Sequence, residues 1–254
     1  MTKKEEREQS HNDPLLDPNG PELGDELLAL CGKHNKRFVD RIKSEEEAKR
    51  LAEALQLHSR EHPLIGVLAI QGNFASHASA LTEAGADPVE IRKPEQLAGL
   101  DGLVLPGGES TTILRFLEKH RFFEVLQQFC SSKPIFGTCA GAILLAREVL
   151  NPAQRSLGVL DAVVERNAYG RQIDSAIVTA QTTLDDGPLE MVFIRAPRIV
   201  ETGPCVEVLA KREGFPTLVR QGRVLAATFH PELSHDRRVH RLFVEAVAAA
   251  RLPH

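Results

Sequence analysis

The sequence predicts an α/β fold: an open, mostly parallel sheet in three layers, flanked by helices, with an extra β-rich portion in its second half. Two observations carry that expectation. From Leu64 onward, short apolar runs alternate with amphipathic stretches, and past residue 158 six short strand candidates follow one another closely. In order, "LIGVLAIQG" reads as a buried strand, "ASHASALTEAGA" as a helix ending at Gly85, "DPVEIR" as a second strand and "LDGLVLPGG" as a third. "STTILRFLEKHRFFEVLQQFC" is helical in pattern, "KPIFGT" is a strand, and "CAGAILLAREVL" reads as a helix. Strand and helix in alternation require right-handed crossovers, which cover both sheet faces. The later strand candidates are "LDAVVERN", "SAIVTAQTTL", "EMVFIRAP", "CVEVLAKRE", "PTLVRQG" and "RVLAATFH". "DRRVHRLFVEAVAAARL" closes the chain as a helix.

Two segments are expected: a charged N-terminal extension at 1–63 and a folded domain at 64–254. Residues 1–60 carry 11 Lys and Arg and 13 Asp and Glu, and Phe38 is their single aromatic, too little apolar surface for a core. "DPLLDPNGPELGD" reads as irregular; Ser44 and Glu47 have capping-box spacing and open one helix. The whole chain has 31 basic and 35 acidic residues, a net charge of -4, so no global field gathers nucleic acid or an anionic membrane. Cys31, Cys130, Cys139 and Cys205 form no C-x-x-C pair, which argues against a zinc knuckle and a dense disulfide framework and fits a reducing compartment. With no bilayer-length apolar run and no apolar core in "MTKKEEREQSHNDP", the expected location is the cytoplasm.

The chemistry-bearing signal is "GTCAG". Cys139 stands where a strand hands over to a helix, beyond the carboxyl end of the strand, where open α/β sheets place ligands. Gly137 and Gly141 bring no Cβ into the bend, so the chain can turn sharply and the helix can pack close. This is the logic of a nucleophile elbow with a thiol in place of a hydroxyl. The first N–H groups of the following helix favour negative charge on the sulfur and can hold an oxyanion. The alternative is a small core cysteine, the reading adopted for Cys31, Cys130 and Cys205, which have no glycine-framed turn.

A thiol nucleophile needs a base, and the base needs an orienting group. "TFHPEL" supplies His230 at a strand end and Glu232 two residues on, across Pro231, whose ring restricts the backbone and can present both side chains on one side. The other histidines, among them His120 and His235, have no such partner in sequence, and His77 near the first strand's loop reads as structural. "VLPGGEST" also follows a strand; Gly107 and Gly108 allow a backbone N–H to approach a ligand, and the G-K-[ST] ending of a phosphate loop is absent. Its alternative is a helix N-cap made by Ser110 or Thr111.

The blocks "PGGEST", "GTCAG" and "FHPEL", in that order, resemble the class I (triad) glutamine amidotransferases. With "IGVLAIQG", "VVERNAYGRQIDS" and "VFIRAP" added, the match over Ile65 to Arg251 is similar to the family of glutaminase subunits of pyridoxal 5'-phosphate synthases. The resemblance implies a flavodoxin-like fold and hydrolysis of L-glutamine to glutamate and ammonia, with no cofactor and no metal. It implies ammonia transfer to a (β/α)8-barrel synthase subunit in a large hetero-oligomer. Carried over by motif, Cys139 is the nucleophile, completed by His230 and Glu232. Gly108, Glu109, Ser110, Arg166, Ile194 and Arg195 line the glutamine site, Gly108 and Ala140 offer the oxyanion N–H groups, and Gln71 organises the loop. "DSAIV" departs from the aromatic that more often follows "DS". Two rival readings are a glutaminase of another synthase and another cysteine-elbow α/β hydrolase. A third, a non-catalytic assembly subunit, is weakened by the presence of all three triad residue types.

Overall fold

Four neighbouring parallel strands carry the architecture, and each ends at the same edge of one sheet. The structure is a computed structural model that describes residues 60–166 and 175–252. Residues 1–59 of the extension, which hold Cys31 and the expected helix up to that point, and all of the block "NAYGRQID" fall outside those residues. The main sheet has seven strands in the order β10-β11-β12-β4-β3-β1-β2. Its parallel part is β1 (Leu64–Leu68), β2 (Asp87–Ile91), β3 (Gly102–Leu105), β4 (Ile135–Thr138) and β12 (Val224–Ala227). The hairpins β10 (Glu207–Arg212), β11 (Phe215–Gln221) and β12 extend it antiparallel at one edge.

The side-chain period of two sorts each strand onto both faces. Leu103 and Leu105 of β3, Ile135 of β4 and Ala226 of β12 join one apolar cluster; Val104, Phe136 and Ala227 join the other. The first face is covered by α2 (Ser110–Lys119), α3 (Phe122–Ser132) and α4 (Ala140–Leu145), through Ile113, Leu117, Phe122, Leu126 and Leu144. The second is covered by α1 (Phe74–Glu83) and α5 (Arg238–Arg251), through Leu81, Phe243 and Val247. Three layers result, as the near-continuously apolar strands require.

Two small sheets account for the β-rich second half. One has the order β5 (Ala146–Leu150), β6 (Leu160–Glu165), β9 (Arg198–Thr202); the other pairs β7 (Ala176–Ala180) with β8 (Leu189–Phe193). Three local expectations need correction. The helix read over "CAGAILLAREVL" stops at Leu145, and "AREVL" is strand β5. Tertiary partners decide this: the amides of Leu157 and Val159 bond the carbonyls of Leu144 and Leu145, and β5 pairs with β6. The helical stretch from Ser110 breaks in two at Arg121, whose φ of 57° is left-handed. Strand β9 went unread because its outward residues outnumber the buried Ile199, which leaves no clear alternation.

The β4–α4 turn is packed backbone against backbone. A Cβ on Gly137 would stand 2.6 Å from the carbonyl carbon of Gly141, and one on Gly141 would stand 2.0 Å from the carbonyl oxygen of Leu105. Both obstacles are backbone, which cannot swing aside as a side-chain tip can. Gly141→Ala is therefore expected to destabilise the fold by about 1–3 kcal/mol or more, read as a lowered urea midpoint. An unchanged midpoint would contradict the close approach.

Candidate active site

The order of the sheet brings the candidate residues together. Going across β12, β4, β3 and β1, the carboxyl-end loops deliver His230, Cys139, Gly107 to Ser110, and Gln71 in turn. Thr138 is in register with Ala227, and the Cys139 amide donates to the Ala227 carbonyl at 2.8 Å, which ties the elbow to the strand that leads to His230. The His230 amide donates in turn to the Val192 carbonyl of β8 at 2.8 Å, so the smaller hairpin holds the histidine turn.

Cys139 adopts φ 48° and ψ -103°, a conformation that non-glycine residues rarely take, while remaining 6 % exposed. Such backbone costs on the order of 1–3 kcal/mol and persists only where its surroundings enforce it, here the Gly137–Gly141 packing beneath it. The helix after it is a single six-residue run, so its favourable charge effect comes from the free N–H groups of one turn. Gly107 faces both partners: a Cβ there would meet His230 Cε1 at 2.5 Å and the Cys139 Cβ at 3.3 Å.

His230 Nδ1 lies 2.7 Å from Glu232 Oε1, with the histidine side chain 7 % and the carboxylate 0 % exposed. Burial alone would lower the His230 pKa, but its hydrogen bonds to Cys139 and Glu232 and their negative charge prevail and raise it to about 10. Burial would raise Glu232, and the hydrogen bond with His230 instead holds it below the usual carboxylate range. These three side chains form one buried, coupled group.

The cleft above them has a volume of about 390 Å³, within the range of small-molecule sites. Gln71, Gly108, Glu109, Ser110, Cys139, Arg166, Ile194, Arg195 and His230 all line it. Ala140 is buried directly after Cys139, and Glu232 lies behind His230, so the structure gathers all eleven candidates. The helix cap at "GGEST" is neither Ser110 nor Thr111 but Glu109, whose carboxylate accepts from the amides of Thr111 and Thr112. Although burial opposes them, those bonds and the Thr112 hydroxyl lower Glu109 to about 2. Arg166 Nη2 lies 3.4 Å from Glu109 Oε1 and donates to Thr111 Oγ1 at 2.9 Å. The Glu109 amide donates to Gln71 Oε1 at 3.3 Å, and the Ser110 hydroxyl donates to Gln154 Oε1 at 3.0 Å.

Several neighbours escaped the sequence reading. Asn73 and Ile143 complete the lining, and Gly72, at φ 85°, sits where a Cβ would strike the Gly107 carbonyl oxygen at 1.9 Å. Neither Gln154 nor His240 carries any motif. His77 had a usable signal: on α1 it shares the buried face with Ala80 and Leu81, an odd place for a histidine without a polar partner. Cys130 is buried, and burial pushes its thiol up to about 12, whereas Cys205 is exposed. Among the described residues no cluster could hold a metal, and no helix is long and apolar enough to cross a membrane.

This topology, with a Cys–His–Glu group at adjacent strand ends, is that of the class I glutamine amidotransferases. The chain belongs to the SNO glutamine amidotransferase family, whose model matches residues 67–249. It is 62% identical over 183 residues to a Koribacter versatilis protein called pyridoxal 5'-phosphate synthase subunit PdxT, covering 72% of this chain and 95% of the relative. A protein of the same name from Thermotoga maritima is 49% identical over 185 residues, covering 72% of this chain and 98% of the relative. A solved structure described as a glutamine amidotransferase superposes with a TM-score of 0.68 at 47% identity, covering 72% of this chain and 98% of its own. A putative GMP synthase protein from Thermoplasma acidophilum, with a TM-score of 0.57 at 19% identity and covering 76% and 97%, shares the fold.

Burial also lowers His77 to about 4 and His240 to about 3. Both are neutral when folded, yet each binds a proton near 6.5 when unfolded. The unfolded chain is thus the stronger proton binder below pH 6.5, and stability present above that pH is lost as the pH falls toward 4. At about 1.4 kcal/mol per unit, His77 alone accounts for on the order of 3 kcal/mol. His230 has the opposite sign: its contribution is full below 6.5 and is lost as the pH rises through about 10. Thermal melts of the full chain are expected to peak near neutral pH and to fall on both sides; a flat acid limb would contradict the buried neutral histidines.

Proposed function

We propose that the chain hydrolyses L-glutamine to L-glutamate and ammonia through a Cys139 thioester, and that the ammonia passes to a synthase subunit that makes pyridoxal 5'-phosphate. The observation that carries this reading is the strained, buried Cys139 beside a His230 held by Glu232 at 2.7 Å, on the floor of a cleft with carboxylate and guanidinium groups at its rim. Family membership and the names of the relatives support the substrate and the pathway.

Glutamine enters as a zwitterion with a neutral amide at its far end. Glu109 suits its ammonium, and Arg166 and Arg195 suit its carboxylate, with Ser110 and Ile194 as the remaining wall. His230 holds the Cys139 proton on Nε2, the nitrogen turned away from Glu232, and the sulfur so deprotonated attacks the amide carbon. The oxyanion that forms accepts from the N–H groups of Gly108 and Ala140. The imidazolium then gives its proton to the amide nitrogen, the C–N bond breaks, and ammonia leaves a γ-glutamyl thioester. Water, deprotonated by the same imidazole, attacks that thioester; the C–S bond breaks, the imidazole keeps the proton taken from water, and the sulfur leaves unprotonated beside it.

Residues 64–254 constitute the catalytic unit in this reading, and the cytoplasm is its location. The partner is a (β/α)8-barrel synthase in a large hetero-oligomer. Gln71 links the first strand's loop to the oxyanion loop, so a partner docked at that end can set the Gly108 N–H.

Cys139→Ala is expected to abolish glutamate formation from glutamine while binding to the barrel synthase persists; retained turnover in that variant would refute the assignment. The isolated chain is expected to turn over slowly and to accelerate when the barrel synthase is added, by about 10²-fold or more if one oxyanion donor is set by docking. Equal rates with and without the partner would rule out that control.

A further inference from the structure

Behind Glu232 lies a second group of buried polar side chains that the reaction above does not use. His77 comes from α1, Thr138 ends β4, and His240 comes from α5; each is 0 % exposed. His77 Nε2 is 3.0 Å from Thr138 Oγ1 and 3.3 Å from Glu232 Oε2, and His77 Nδ1 is 3.1 Å from His240 Nε2. Phe136 meets both rings edge-on, with centroids 6.2 Å and 5.9 Å away, and so fixes their planes. Glu232 Oε1 is committed to His230, whereas Oε2 accepts no hydrogen bond among the described residues and has His77 Nε2 as its ion-pair neighbour at 3.3 Å.

The direction of the protons follows from these distances. Two neutral imidazoles in contact share one N–H, so one ring donates and the other accepts. If His77 Nδ1 donated, its Nε2 lone pair would face the ionised Glu232, and His240 would carry an N–H on Nδ1, an atom with no partner among the described residues. That arrangement opposes two acceptors and buries an orphaned donor, both unfavourable. With His240 Nε2–H donating instead, His77 Nε2–H goes to Thr138 Oγ1 with the ionised Glu232 Oε2 beside it at 3.3 Å, and the unpartnered His240 atom is only a lone pair.

We propose that His77 is a positioning residue of the reaction: its Nε2–H, aimed by His240, holds the second oxygen of Glu232 so that the first stays on His230 Nδ1. This rests on the glutaminase reading of Cys139, His230 and Glu232. A buried carboxylate held at one oxygen alone can turn about its terminal bond and lose the imidazole; a donor on the other oxygen removes that freedom. The titratable groups that face His77 are Glu232, His230 and His240, with Arg237 near His240.

The test uses the full chain with its synthase partner. In the unsubstituted protein, ¹⁵N spectra of the imidazoles at neutral pH are expected to show both His77 and His240 as neutral Nε2–H tautomers. A His77 carrying its proton on Nδ1, or on both nitrogens, overturns the proposal. His77→Leu, which removes the donor, is expected to lower kcat at least about tenfold, leave KM for glutamine within about twofold, and move the acid limb of the kcat profile to higher pH. His77→Gln offers an amide N–H to Glu232 and a carbonyl to His240, and is expected to restore kcat to within about fivefold with the acid limb in place. A His77→Leu enzyme with normal kcat, or a His77→Gln enzyme as slow as His77→Leu, contradicts the role. If His77→Leu does not fold, the tautomers and the His77→Gln rate still decide. Cys139→Ala, assayed beside them, separates the two readings: turnover in that variant would sink the triad itself, whereas its silence with a fully active His77→Leu would sink only the positioning role.

Discussion

The contact between α4 and the carboxyl ends of β3 and β4 sets most of what is chemical about this protein. Gly141 lies over the Leu105 carbonyl and Gly137 over Gly141, with no room for a Cβ on either. That proximity forces the chain to reverse within one residue, and the residue at the reversal is Cys139, at φ 48°. A relaxed turn would place the sulfur elsewhere and separate it from the N–H of Ala140. The strain is maintained by apolar burial on both sheet faces, where Leu103, Leu105, Ile135 and Phe136 are almost wholly enclosed. Packing energy spread over the sheet therefore holds one unfavourable backbone geometry in place.

Adjacency of strands does the rest. Because β12 returns beside β4 in parallel, two residues almost a hundred positions apart in the chain meet at one edge, and the hairpin β7–β8 supports the histidine turn through Val192. The rim of the cleft is built differently. Glu109 is at once a helix cap and an ion-pair partner of Arg166, so the Gly107–Gly108 loop, α2 and the end of β6 are joined through one carboxylate. A ligand that competes for Glu109 or Arg166 would act on the loop that carries Gly108.

The buried electrostatics are uneven because the packing is. His230, next to Cys139 and a carboxylate, is held protonated, while His77 and His240, both fully enclosed, are held neutral by burial. One carboxylate, Glu232, stands between the two regimes. Its charge is balanced on one oxygen by an imidazolium and neighboured on the other by a neutral ring, with Glu232 and His77 closed to solvent and His230 reaching it only at the floor of the cleft.

By itself the sequence determined the elements whose signal is local: buried strands from apolar runs, the elbow from glycines framing Cys139, and the His230–Glu232 pair from a two-residue spacing across a proline. Resemblance to a known family, carried by the blocks "VVERN" and "FIRAP", also placed Arg166 and Arg195 at the same site as Cys139. Only the tertiary structure decided where a local preference yields to a partner. "AREVL" has helical propensity, yet it became β5 because β6 offered a ladder; β9 has little alternation, yet it pairs with β6. The same holds for Glu109 in place of Ser110 as the cap, and for His77, which a lone helical context makes bland and which burial against Glu232 makes polar and specific. Hydrogen-bond partners across 61 and 163 residues leave no periodic trace in the chain, since the distance that matters to them is set by the sheet and not by the spacing in sequence.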